Sequence, residues 1–162
     1  MAKIKKLHLS NLEGEKIHLV GVVCHIPDYR LSHFINSYLN LKLKKFGDFS
    51  PSFQSLSYSW YYYFHEEFRS HFYLIANRGE GSYLLPQLKN FDYLFFVKGA
   101  IPEENMIHTV TLLRNTPTIS AAYTQDITKI KRYNELLEAL EIHEMKEILI
   151  PGKVKKYPNK KI

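Results

Sequence analysis

A chain of 162 residues is the size of one ordinary domain and can bury a core without disulfides or metal. Its 45% apolar and 23% charged residues are ordinary for a globular protein, whereas 12 Tyr and 10 Phe make it rich in aromatic side chains; the single Cys24 excludes an intrachain disulfide and a cysteine-rich zinc site. The net charge of +6 sits at the ends: residues 1–6 carry three Lys and residues 152–162 five, and removing these eight of the 22 basic residues leaves 14 against 16 acidic ones, a net of −2 for residues 7–151.

Terminal lysine runs of this kind read as solvated tails before binding arms. "MAKIKK" has the charge of a signal-peptide start, but Leu7 to Ile17 contains His8, Asn11, Glu13, Glu15 and Lys16 where an apolar stretch is needed. No apolar run approaches a membrane span, so a cytoplasmic protein without a membrane partner is expected.

In chain order, Lys3–Leu9 and Lys16–His25 flank "SNLEGE" and read as a hairpin whose second arm is apolar enough for an inner strand. Pro27-Asp28 then opens a helix with Asp28 as N-cap, Leu31, Phe34, Ile35, Tyr38 and Leu39 as its apolar stripe, and His33 and Asn36 on its polar side. "KLKKFGDFSPS" is a loop. In "SLSYSWYYYFH" the alternation places Leu56, Tyr58, Trp60, Tyr62 and Phe64 on a core face; Ser55, Ser57, Ser59, Tyr61, Tyr63 and His65 share the other.

"EEFR" turns the chain into the strand "SHFYLIANR", "GEGS" closes it, and "DYLFFVKG" is the continuous apolar run of a central strand covered on both sides. A helix begins at Pro102, with Glu103 and Glu104 at its positive end, a stripe of Met106, Ile107, Val110 and Leu113, and a stop at Asn115 and Pro117. "TISAAYT" is a further strand, so Tyr93 to Tyr123 reads as a right-handed parallel strand-helix-strand crossover. "KRYNELLEALEIHEMKEIL" closes the domain as a helix with Leu136, Leu137 and Leu140 inward and several Glu outward. The expectation is one α+β domain over residues 1–150, a mixed or mainly antiparallel sheet of about five to six strands with helices packed on it, and a Lys-rich tail over 151–162.

Leu85, Pro86 and Gln87, followed by Phe91, Asp92 and Tyr93, resemble the Ile-Pro-Glu-x-x-x-Val-Asp-Tyr motif of the bacterial IPExxxVDY family. The resemblance extends to "DYRLSHFINSYL" and "YLIANR", roughly Ile17 to Ile130 in the same order. It implies a small cytoplasmic protein and carries no particular activity. Gln87 replaces the motif's carboxylate, and an amide serves neither as general base nor as anionic metal ligand, which leaves turn chemistry as the reading of that position.

Asp92-Tyr93 is the sharpest candidate pair. Asp92 is suited to orient a substrate or a partner's Arg, or, structurally, to accept backbone hydrogen bonds from the preceding turn or to pair with Arg78. Its place at the amino end of a strand favours structure, because ligands of open α/β sheets gather at carboxyl ends. "KGAIPEEN" has one glycine and two acids where a phosphate loop needs several glycines and a lysine. "HEEFR" lacks the second His of a zinc-protease helix, although His71 is placed to approach His65 across the hairpin with Glu66 or Glu67 as a third ligand; a polar hairpin tip is the plainer reading. Cys24 and His25 are strand neighbours on opposite faces, and Cys24 reads as a small buried residue.

Tyr61 and Tyr63 suit base stacking, but the body of the chain lacks the positive charge to hold a nucleic-acid backbone; a tyrosine-rich face covered by a helix or a second subunit is the alternative. The expectation is a non-catalytic interaction module without cofactor or metal, self-associating or binding a protein partner, with Asp92, Tyr93, Tyr61, Tyr63 and Arg78 as its binding residues. A nucleic-acid-associated protein using the Lys-rich ends comes second. A small enzyme built on His65, His71 and Glu67 or Asp92 comes third.

Overall fold

The computed structural model describes residues 16–149. The Lys3–Leu9 hairpin arm and the Lys-rich tail lie outside them. The elements are β1 (Lys16–Cys24), α1 (Asp28–Leu39), β2 (Lys44–Lys45), β3 (Trp60–His65), β4 (Ser70–Ala76), β5 (Arg78–Gly79), β6 (Ser82–Tyr83), β7 (Tyr93–Gly99), α2 (Glu103–Arg114), β8 (Ile119–Gln125) and α3 (Tyr133–Glu144). A π-helical turn, Met145–Leu149, extends α3, and short 3-10 turns sit at Pro86–Leu88 and Ile127–Lys129.

Six strands form one sheet in the order β2-β3-β4-β7-β1-β8, with every neighbouring pair antiparallel. β1 is the inner strand its composition predicts, lying between β7 and β8. The two neighbours of β1 run parallel to each other, so β7-α2-β8 is the expected crossover with one strand inserted. β7 is central and almost wholly buried, and β5 pairs with β6 in a separate two-stranded ribbon that carries the "GEGS" turn.

Both sheet faces are apolar because both are covered. On one, Val20, Val22, Phe72, Leu74, Phe95 and Val97 meet Leu31 and Ile35 of α1 and Met106, Val110 and Leu113 of α2. On the other, Leu19, Trp60, Tyr73, Ile75, Leu94 and Phe96 meet Leu136 and Leu140 of α3. Gly21 makes room on that second face: a Cβ there would lie 2.5 Å from the Phe91 ring.

Several expectations shift by one position or one face. Asp28 is the first helical residue and Pro27 the N-cap, because the Asp28 carboxylate is drawn away to the Tyr61 hydroxyl, which donates to it at 2.9 Å. Pro102 likewise stands just outside α2. Ile107 and Tyr38 leave their predicted stripes, at 60% and 49% exposure, and Thr109 and Ser32 are buried in the helices instead. The first predicted aromatic strand shortens to Trp60–His65, with Tyr58 bridging to Phe49.

Candidate functional site

The structure brings three of the predicted residues, Asp92, Tyr93 and Arg78, into one recess of about 200 Å³ together with Cys24 and Ile26. Asp92 is 6% exposed. Its Oδ2 accepts the Cys24 backbone N–H at 2.9 Å and its Oδ1 meets Arg78 Nε at 3.1 Å. The Arg78 pair is the expected one; the backbone donor comes from the end of β1 instead of from the preceding turn, because β1 is the strand beside β7. The Tyr93 hydroxyl donates to the Ile26 carbonyl at 2.7 Å, and burial, then the Asp28 charge, push that phenol well above its usual range. Ligand cavities usually run about 300–1,000 Å³, so this recess is small for one. Its groups act as fasteners between β1, β7 and the β5 strand.

Tyr61 and Tyr63 stand apart from that recess on β3. Tyr61 is 4% exposed under α1, its hydroxyl donating to Asp28, and Tyr63 is half-buried among the side chains of the same layer. The chain's own helix therefore covers the tyrosine-bearing face, and Tyr61 is not presented for stacking or docking. Asn77 is the residue that organises the motif turn. Fully buried, it donates Nδ2 to the Leu88 and Phe91 carbonyls at 2.9 Å each and accepts the Leu85 N–H at 2.8 Å, while its backbone bonds Leu84 and Asp92. Gln87 does the same outside: it donates to the Lys129 carbonyl at 2.8 Å and accepts from Lys131 N–H at 2.9 Å. A glutamate would lack that donor.

A second buried cluster forms where α3 ends against the sheet. Glu144 accepts from the Tyr73 hydroxyl at 2.7 Å and the Tyr62 hydroxyl at 3.3 Å, and it pairs with His71 Nδ1 at 3.2 Å and Lys98 Nζ at 3.8 Å. Burial pushes the Glu144 carboxyl up, but the His71 and Tyr73 hydrogen bonds and the Lys98 charge outweigh it and hold it below its ordinary value. Burial and the same carboxylate push Tyr62 and Tyr73 well above theirs. His71 thus faces α3, whereas His65 accepts the Phe68 N–H and stacks on that ring on the opposite sheet face. The two histidines of the hypothetical hairpin metal site are separated by the sheet, and no group of three potential metal ligands occurs among the described residues. No described helix is long and apolar enough to cross a membrane.

A third feature is a cleft of about 480 Å³ between the motif turn and the approach to α3, lined by Phe53, Gln54, Leu84–Gln87 and Ile130–Arg132. Leu84, Leu85 and Ile130 are buried and form its floor. Lys131 and Arg132 are exposed at its lip. The outer side of α3 and its π-helical turn carries three exposed apolar side chains: Ile142, Met145 and Leu149 are 51%, 46% and 65% exposed. No protein-family model matches the chain, and none of the curated proteins is similar to it.

Proposed function

We propose that the chain is a non-catalytic interaction module that pairs with a second copy of itself through the outer face of α3 and its π-helical turn. The observation that carries this reading is the stripe of Ile142, Met145 and Leu149, whose spacing puts three large apolar side chains on one side of a helix end and leaves them in solvent. Contiguous exposed apolar surface on a soluble domain marks an interaction site. Antiparallel pairing centred on Ile142 sets the exposed Lys146 of one copy beside the exposed Glu138 of the other, which gives the face charge complementarity to itself.

The engagement of Asp92 and Glu144 with partners inside the fold favours binding over catalysis. Membership of the family that the Leu85–Tyr93 motif resembles, and the cytoplasmic location it implies, belong to the same proposal; the folding of Leu85, Phe91 and Asp92 around Asn77 as one unit supports it.

Gel filtration with light scattering should give twice the mass of the chain. Replacing Ile142→Glu together with Met145→Glu should return the monomer with unchanged circular dichroism, since both residues are about half exposed and lie outside the core. A wild-type monomer at all concentrations, or a dimer that survives both substitutions, overturns the reading.

A further inference from the structure

We infer that the cleft beside the motif turn is a binding site for an aliphatic carboxylate. This goes beyond the pairing of two copies and uses a different surface. The volume of about 480 Å³ lies within the range of small-molecule sites. Its buried floor, Leu84, Leu85 and Ile130, is aliphatic. Phe53 closes one side, with the Arg132 guanidinium 5.7 Å from its ring centre.

The polar wall groups are divided between fastened and free. Gln87 spends both its amide atoms on the Lys129 and Lys131 backbone, and Gln54 donates to the Tyr83 and Leu84 carbonyls. These four bonds hold the walls. Lys131 makes no ion pair among the described residues, and Arg132, which lines the cleft, gives Nη1 to Glu135 at 3.0 Å and has four further guanidinium donors. Beside them α3, twelve residues long, starts without a side-chain cap, so its unbonded N–H groups add positive potential.

An apolar floor under a cationic lip selects a ligand with one anionic head and an aliphatic body. The carboxylate meets Lys131 and Arg132, with Glu135 the acid that competes for the guanidinium among the described residues; the aliphatic body displaces water from Leu84, Leu85 and Ile130. Gln87 is a positioning residue here, fixing the segment that carries the two cations.

Calorimetric titration of the full chain with decanoate, and with decanol as its neutral counterpart, tests this below the concentration at which decanoate forms micelles. Decanoate should bind one to one and about tenfold tighter than decanol, the size of one charge-assisted contact pair. Lys131→Gln with Arg132→Asn should remove that advantage and leave decanol unchanged; asparagine tolerates the left-handed backbone that Arg132 adopts at φ 52°. Lys131→Gln alone keeps Arg132 and should move the affinity in the same direction. No saturable binding, equal affinity for acid and alcohol, or an acid affinity unaffected by both variants each overturns the assignment.

Discussion

Glu144 shows how much one side chain settles in this molecule. A carboxylate 6% exposed is tolerable only because two phenols, a histidine and a lysine converge on it. Glu144→Gln keeps the shape, removes the charge and leaves Lys98 without its counter-ion and His71 without the carboxylate it bonds. Urea denaturation at pH 7 should show a loss of about 2–3 kcal/mol. The acid limb of stability separates the contributions. Because the folded carboxyl titrates below its ordinary 4.5, its contribution is complete above pH 4.5 and is lost as pH falls further. His143, which burial pushes below 6.5, is favoured neutral in the fold and starts an earlier loss as pH falls through 6.5. The variant should retain the loss that begins near 6.5, to which the half-buried His18 also contributes, and lose less than wild type below 4.5, the remaining acid loss there belonging to Asp28, which, against its burial, the Tyr61 hydroxyl and Lys45 hold below its ordinary value. A variant profile identical to wild type would sink this account of the cluster.

The position was legible even though the residue type misdirected. Leu136, Leu140, His143 and Glu144 fall on one stripe of α3 at steps of four and three or four, so the period alone puts Glu144 inward. General experience that glutamate faces water argues the opposite. Tyr73 and Tyr62, two aromatic hydroxyls on the facing strands, are the partners that decide it, and they come from positions that only the strand register brings opposite each other.

At the level of elements, Asn77 joins the end of β4 to the motif turn and to the start of β7. Its amide is used as donor twice and as acceptor once. Asn77→Asp retains the acceptor for Leu85 but places oxygen against two carbonyls, and the expected cost is about 3 kcal/mol or more. The melting temperature and amide exchange at Leu84–Asp92 should both report it; exchange that stays at the wild-type level there would show that the turn is held by something else. Strand alternation and helix stops were readable: Trp60 and Tyr62 face the core as the period of two requires, and α2 ends at Asn115. The two-residue β2, the β5-β6 ribbon and the shift at Pro27 were not: β2 and the ribbon are too short for an alternation to show, and at Pro27 the distant Tyr61 hydroxyl, not local propensity, takes the Asp28 carboxylate. For the site, Asp92-Arg78 followed from charge and proximity in sequence, whereas the cleft required the Ile130–Arg132 segment to return against Leu84–Gln87, a contact with no sequence signal.

In the whole molecule the sheet separates two apolar layers, yet the four strands β3, β4, β7 and β1 each contribute to both. Loss of either layer exposes the other face of the same strands, so the layers should unfold together. Trp60, the single tryptophan, is buried on the α3 face and reports that layer alone by fluorescence. Far-ultraviolet circular dichroism reports all elements. Their urea transitions should coincide; separated midpoints would mean that α1 and α2 can leave while the α3 layer remains.

The inner position of β1 also constrains time. Cys24, at its end, meets Asp92 across 68 positions and Thr118 across 94. While the chain is being made, β1 leaves the ribosome long before either neighbour exists. Its apolar "HLVGVVC" run must therefore stay unpaired until β7 has been synthesised, and open along its other edge until β8 follows; closure of such distant contacts makes folding slow for a domain of this size. The newly made chain, more than the finished fold, is then the stage at which this protein is exposed to aggregation and to chaperones.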